Sequence, residues 1–403
     1  MGKKNLHSGA YLRMCAANTL VCTYIFANFT LLSVRPGGGA LLCGLALAVF
    51  AVGMYVPGPF NAYLVERYAR KSIYLKSLLL LLLLNWAFAR PLPAPLLIAA
   101  AGLQGMVFAI AQNALGNTMV NDLLTSERRT AGDNLYSWYG RLGLPFGWAA
   151  ALLLPYAGLS GHAQMQWLAA LPCVAAFLLI LSLSVPLKAP VQTSLFSTDR
   201  FWLGKAWPLF LLAFAAAALE GIVTAWGFIA PGGPLLPRAL YMGLGFLLAL
   251  WLQYVVFLAA ENRAEMVAGV LLMAAALLLL SHPHEAVRNN AAFILAGAGV
   301  GLLSARSLMY FLKLAGHCQR GTAQNTYMLA WRTGFAAGFL LPLLLPASSC
   351  GGQTGVPHPS GLPTSLLICG LLLLLLLLLG YLFCVHPWFE HHKDRGFKFR
   401  TVG

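Results

Sequence analysis

The sequence predicts an all-α membrane protein of twelve transmembrane helices in two pseudo-symmetric six-helix bundles, on three observations. Of its 403 residues, 60% are hydrophobic and 9% are charged, and a soluble domain of that size lacks the polar surface to keep such a composition in solution. Apolar windows long enough to cross roughly 30 Å of hydrocarbon, about 20 residues each, occur twelve times. One pattern also occurs twice, 191 residues apart: Asn134-x-Tyr136-x4-Arg141-x-Gly143 and Asn325-x-Tyr327-x4-Arg332-x-Gly334.

The first half, 1–187, holds windows near 11–34, 38–64, 73–89, 94–120, 131–155 and 164–186. Lys3 and Lys4 precede the first window without a small-residue cleavage site, so it reads as an uncleaved helix. A polar cytoplasmic linker, 188–205, contains Pro190, Ser194, Ser197, Thr198 and Asp199. The second half, 206–386, holds windows near 206–230, 236–259, 266–281, 290–315, 322–346 and 364–385, and 387–403 forms a basic tail.

Every third window is the most uniformly aliphatic, as in Leu78–Leu84 and Leu371–Leu379, and such helices belong against lipid because nothing on them needs a polar partner. The first, fourth, fifth, seventh, tenth and eleventh carry the buried polar groups and are expected to surround a cavity. These groups include Asn18, Thr23 and Asn28, then Gln104, Gln112 and Asn113, then Glu220 and Thr224, and finally Ser304 and Arg306.

The 26 Lys and Arg against 11 Asp and Glu suggest a nucleic-acid partner until they are placed. With twelve spans and both ends on one side, 19 of them fall on the side of the termini, four on the other and three within spans. That bias places both termini in the cytoplasm, and a multi-pass chain of a bacterial cytoplasmic membrane is the expectation. The positive charge is then a topogenic signal and an attraction to anionic lipid, and no nucleic-acid partner is expected.

The eight cysteines are scattered. Only Cys350 falls in an outside loop, without a partner, so no disulfide framework is implied. His282, His284 and Glu285 form a short cluster interrupted by Pro283, and His386, His391 and His392 lie toward the basic tail, at lipid headgroups. No metal site, phosphate loop or nucleophile elbow is present. A non-enzyme without cofactors is expected, drawing on an ion gradient if it pumps.

A charge at the membrane centre costs on the order of 3 kcal/mol on insertion scales. Counted from the start of their windows, Arg141 and Arg332 lie roughly 15 Å deep, and Arg306 lies about as far in. Three guanidiniums at one level favour an anionic or strongly hydrogen-bond-accepting solute, because the planar fork grips carboxylate or phosphate bidentately. The other reading is that they hold helices together, Arg306 through Ser304, Gln112 and Asn113. Residues i, i+4 and i+7 share a helix face, which groups Asn134, Trp138 and Arg141, and likewise Asn325, Leu329 and Arg332. Asn28, Gln112, Trp138 and Tyr327 join these as candidate cavity residues. Of the acids, ten fall in loops or at helix ends and only Glu220 lies well within a span, which makes it the candidate proton carrier, since burial and adjacent arginines act oppositely on a carboxyl. A fixed ion pair with an arginine is its alternative.

After the second window comes Ala62-Tyr-Leu-Val-Glu66-Arg67-Tyr68-Ala69-Arg70-Lys71. It resembles the loop signature of the major facilitator superfamily, Gly-x3-Asp-Arg-x-Gly-Arg-Arg/Lys, with both glycines replaced by alanine and aspartate by glutamate. In the second half the equivalent loop keeps Glu261 and Arg263. The resemblance covers nearly the whole chain and implies a gating role for Glu66, Arg67 and Arg70, which would latch the halves together. A second signature, Arg-x-x-Gln-Gly, appears as Ala101-Gly-Leu-Gln104-Gly105 without its arginine. The family implies a monomeric secondary transporter that rocks about a midplane site. The expected cargo is a small organic, anionic or amphipathic solute, coupled to protons, with efflux favoured over uptake symport. A lipid-modifying enzyme or a transport-inactive sensor on the same scaffold is the alternative of another class.

Overall fold

The computed structural model describes residues 8–125, 128–159, 161–184, 193–229, 235–257, 262–282, 286–316, 319–345 and 362–393. The expectations resting on Lys3, Lys4, Lys188, Pro190, Glu261, Pro283, His284, Glu285, Cys350 and the tail beyond Lys393 lie outside them. No strand occurs among the described residues.

Among the described residues, eleven helices are long and apolar enough to cross a membrane: Gly9–Val34, Ala40–Arg67, Arg70–Ala89, Ala94–Leu123, His162–Leu181, Gly204–Ile229, Leu235–Val255, Arg263–Ser281, Asn289–Leu314, Arg320–Leu344 and Thr364–His392. The twelfth crossing, fifth in chain order, consists of two shorter helices, Arg129–Arg141 and Gly143–Leu153. The break has a local cause. Pro145 offers no N–H to the carbonyl of Arg141, so one helical bond is lost there, while Leu142 keeps helical dihedrals and still donates to the Trp138 carbonyl at 3.3 Å. The protein is thus a multi-pass membrane protein with the twelve crossings read from the sequence.

One end of the bundle, here the linker face, holds the start of the first span, the end of the sixth, and 193–206. Lys71 Nζ donates there to the carbonyls of Leu181 (2.8 Å) and Leu183 (2.6 Å), satisfying orphan groups at a helix C-terminus. Burial separates inner from outer helices. Of the most apolar 18 residues in each span, 83% are buried in the first and 78% in the seventh and tenth, against 39% in the third and sixth and 28% in the twelfth. The eighth, at 33%, is as outward as these, although its sequence did not set it apart. Leu83, Leu376 and Phe383, at 69%, 67% and 74% exposure, belong to the lipid-facing surface.

The internal duplication extends beyond the pattern seen in the sequence. A Cβ on Gly143 would overlap Cys22, and one on Gly147 would meet the Thr23 carbonyl at 2.5 Å and Phe26 Cβ at 2.7 Å. At the positions 191 residues later, a Cβ on Gly334 would strike Phe214 and one on Gly338 would strike Ala218. A pair of glycines four apart therefore presses the fifth span onto the first, and its twin presses the eleventh onto the seventh. Small residues at this spacing let helix backbones approach closely where lipid supplies no hydrophobic drive.

Candidate functional site: an arginine-lined cavity between the halves

A cavity opens between the first, fourth and fifth spans of one half and the seventh and eleventh of the other. Its empty space is about 750 Å³, with open solvent at its mouth included. Arg141, Arg332 and Glu220 line it together with Asn18, Gln112, Asn117, Gln324, Tyr136, Tyr327 and Trp331. Of the residues singled out in the sequence, Arg141, Arg332, Gln112, Tyr327 and Glu220 therefore meet in one place.

The two arginines are held by aromatic faces. The Arg141 guanidinium lies 4.9 Å from the Trp138 ring centroid, and Arg332 lies 4.9 Å from Phe26 and 5.7 Å from Phe108. Cation–π contact holds a guanidinium without consuming its in-plane donors. Arg332 Nη2 sits 3.7 Å from Cys22 Sγ, and Arg141 Nη2 sits 3.5 Å from the Tyr327 hydroxyl. Arg141 Nε and Nη1 are buried and have no hydrogen-bond partner. Unmade donors of this kind are expensive in a protein interior.

Glu220 is 5% exposed. Its Oε2 accepts a 2.7 Å bond from Trp331 Nε1, and both arginines act on it through space. It is hydrogen-bonded to an indole rather than locked in a direct ion pair. The opposite wall is an amide network: Gln112 Nε2 donates to Asn18 Oδ1 (2.9 Å), Asn18 Nδ2 to the Tyr136 carbonyl (3.1 Å), and Tyr136 OH to Gln112 Oε1 (3.1 Å). Asn117, in the π-turn Leu115–Val120, completes that wall.

Four expected cavity residues and one arginine lie elsewhere. Asn28 accepts a 2.8 Å bond from Gln166 Nε2, which also approaches Asn85, so it ties the first span to the third and sixth. Asn325 Nδ2 donates to the Phe201 carbonyl at 3.0 Å, fastening 193–206 to the eleventh span. Asn134 and Trp138 are buried and do not line the cavity. The cavity face of the fifth span is formed by Tyr136, Ser137, Gly140 and Leu144, and Asn134 and Trp138 lie between about a quarter- and a half-turn away at 3.6 residues per turn. Arg141 reaches it from the edge of that face, and Arg332 does the same on the eleventh span.

Arg306 belongs to a different site. It pairs with Glu265, a completely buried carboxylate that also receives Gln253 Nε2 at 3.2 Å. The expectation that Glu220 is the only acid within the membrane domain is thus corrected. Glu265 lies one residue before the window read for its span, so it looked like a helix end. A buried mid-span arginine without a nearby partner in sequence was the available signal for a carboxylate on another helix.

The loop after the second span forms a polar cluster at the linker face. Glu66 Oε1 accepts from Arg200 Nη2 at 2.6 Å and lies 3.5 Å from Arg70 Nη2, and Arg70 also pairs with Asp122. Arg200 donates through Nη1 to the Asn117 carbonyl at 3.2 Å and through its backbone N–H to Thr322 Oγ1 at 2.8 Å. Arg200 thereby bridges the two halves beneath the cavity. It does so with φ of +54°, a conformation that non-glycine residues adopt at a cost. Arg67 is exposed and takes no part. Read in sequence, Arg200 is only one of the charges counted on the side of the termini.

No family model matches the chain, and no curated protein matches it. Among solved structures it is similar to a crystal structure of a mutant of the nucleoside transporter NupG, with a TM-score of 0.66 and 11% identity over 93% of this chain and 99% of that one. An agreement spanning both halves of both proteins, together with the duplicated glycine contacts and the cavity between the halves, establishes the architecture: the chain has the major facilitator superfamily fold.

Proposed function

We propose that the protein is a monomeric secondary active transporter, not an enzyme, which carries a small organic anion by alternating access of its cavity. The observation that carries this reading is Arg141, held on an indole with Nε and Nη1 buried and unbonded, in a cavity it shares with Arg332 and Glu220. Two guanidiniums against one carboxylate leave the walls net positive, which suits a monoanion. The bundles 1–187 and 206–386 act as the rocking units, joined by 188–205, and 387–403 is a basic tail at anionic lipid. The linker face is assigned to the cytoplasm on the charge bias, and the membrane is assigned to a bacterium. The cluster of Glu66, Arg70 and Arg200 latches that face, and Glu220 carries the coupling proton. Export is the direction assigned, with uptake symport of the same anion as its converse.

A second reading is supported by the aromatic and amide walls and by the likeness to a nucleoside transporter: an uncharged nucleoside-like solute, its ring against Phe26, Phe108 or Tyr327 and its hydroxyls on Gln112 and Gln324. Thermal-shift assays against monocarboxylates, phosphate monoesters and neutral nucleosides separate the two, with stabilising compounds carried into proteoliposome flux under imposed pH gradients of either sign. Stabilisation by anions that disappears in Arg141→Gln supports the first reading. Stabilisation by neutral nucleosides alone, unchanged in that variant, overturns it.

A further inference from the structure

Trp138 belongs to the first half but is buried in the second. Its ring fills a notch left by Gly301, where an added Cβ would lie 3.1 Å from the indole Cη2. Its Nε1–H donates to Gln253 Oε1 at 2.8 Å. Gln253 in turn donates through Nε2 to Glu265 Oε1 at 3.2 Å, and the other Glu265 oxygen takes Arg306. A continuous chain therefore runs from a buried ion pair on the ninth and tenth spans, through an amide on the eighth, to the indole beneath Arg141.

Each member constrains the next. The ion pair fixes Glu265, Glu265 fixes which end of the Gln253 amide points to the indole, and the amide oxygen fixes the rotation of the indole about its own bond. The indole face then fixes the plane in which Arg141 presents its donors. A guanidinium on an aromatic ring keeps its plane only as well as that ring keeps its own, and bidentate pairing depends on that plane.

We propose that Gln253 and Glu265 are positioning residues for Arg141, acting through Trp138, so that a relay outside the cavity sets how the cavity grips an anion. The proposal rests on Arg141 as the anion ligand, but its test does not need the solute. Phenylglyoxal modifies free guanidiniums, and peptide mass spectrometry reads Arg141 and Arg332 separately in the intact protein. Arg332, which lies on Phe26 and Phe108, is the internal control.

Trp138→Phe keeps a ring and loses the N–H, while Gln253→Met keeps the shape and loses the acceptor. Each is expected to speed modification of Arg141 about fivefold, the factor that one net hydrogen bond supplies, and to leave Arg332 within about twofold. The double variant should do no more than either single one, as residues in one network do. Glu265→Gln, which retains an oxygen for Gln253, should have a smaller effect than Glu265→Leu. Unchanged Arg141 rates in both Trp138→Phe and Gln253→Met would overturn the relay, and so would additive effects or equal acceleration of Arg332. If the wild-type protein binds no anion, the transport reading falls, while the relay still stands or falls on these rates.

Discussion

Replacing Arg200 by alanine removes two side-chain interactions that join the halves at the linker face and leaves a third in place. The ion pair with Glu66, 2.6 Å long and with each side chain about a fifth exposed, contributes up to about 1 kcal/mol in that setting. The bond to the Asn117 carbonyl, charge-assisted at 3.2 Å, adds about 1 kcal/mol more. The backbone N–H to Thr322 survives the substitution. Loss of about 2 kcal/mol of closure shifts the population open at that face by roughly 30-fold, at tenfold per 1.4 kcal/mol. Arg200→Gly loses the same contacts and also relieves the left-handed backbone strain, about 1 kcal/mol, so it should open the face roughly fivefold less than Arg200→Ala. The assay is the labelling rate of a cysteine at Gln324, in a variant lacking the eight native cysteines, with an impermeant thiol reagent applied from the linker side. An unchanged rate in Arg200→Ala would refute the latch, and identical rates in the alanine and glycine variants would refute the role given to the strain.

Three further outcomes follow from the site. Arg141→Lys and Arg332→Lys keep the charge but lose the planar fork, so affinity for the transported anion should fall by about 2 kcal/mol, roughly 30-fold, in titration calorimetry; affinity within twofold of wild type in both would return the arginines to a structural role. Glu220→Gln keeps an acceptor for Trp331 but cannot cycle a proton, so accumulation driven by a pH gradient should stop while counterflow persists in proteoliposomes; continued uphill transport would remove Glu220 from the coupling. A cysteine at Gly37, between the first and second spans, should be labelled from outside intact cells and one at Ser197 should not, and the opposite result would invert the assigned orientation.

What the sequence revealed and what it hid divide along the range of the interactions. The crossings depend on runs of neighbouring residues, and even the break in the fifth span has its cause, Pro145, within four residues of Arg141. Depth along a helix is also local, which is why Arg141 and Arg332 were found. Azimuth is harder to read, because an error of a quarter-turn or more moves Asn134 and Trp138 off the cavity while the longer arginines still reach it. The partners of Asn28, Arg306 and Arg200 were out of reach of any window: Gln166 lies 138 residues from Asn28, Glu265 lies 41 from Arg306, and Glu66 lies 134 from Arg200. Only the packing of distant spans selects them.

The two arginine-bearing helices are twins in sequence but unequal as mechanical parts. The eleventh span is a continuous rod from Arg320 to Leu344, with its proline, Pro342, only at the far end. The fifth lacks one backbone bond at the joint next to Leu142, directly after its arginine, because Pro145 has no N–H to give, and the segment beyond is clamped to the first span by Gly143 and Gly147. A torque on the linker-side segment meets one backbone bond fewer there than the same torque meets at the matching place in the eleventh span. Spin labels at Tyr139 and Trp148 should change separation between inward- and outward-biased states, while labels at the matching positions Ala330 and Phe339 should not. Equal changes in both pairs would mean that the joint is rigid. If the joint bends, the chain's evolutionary doubling yielded one crank and one piston, and the two ends of the cavity open by different motions.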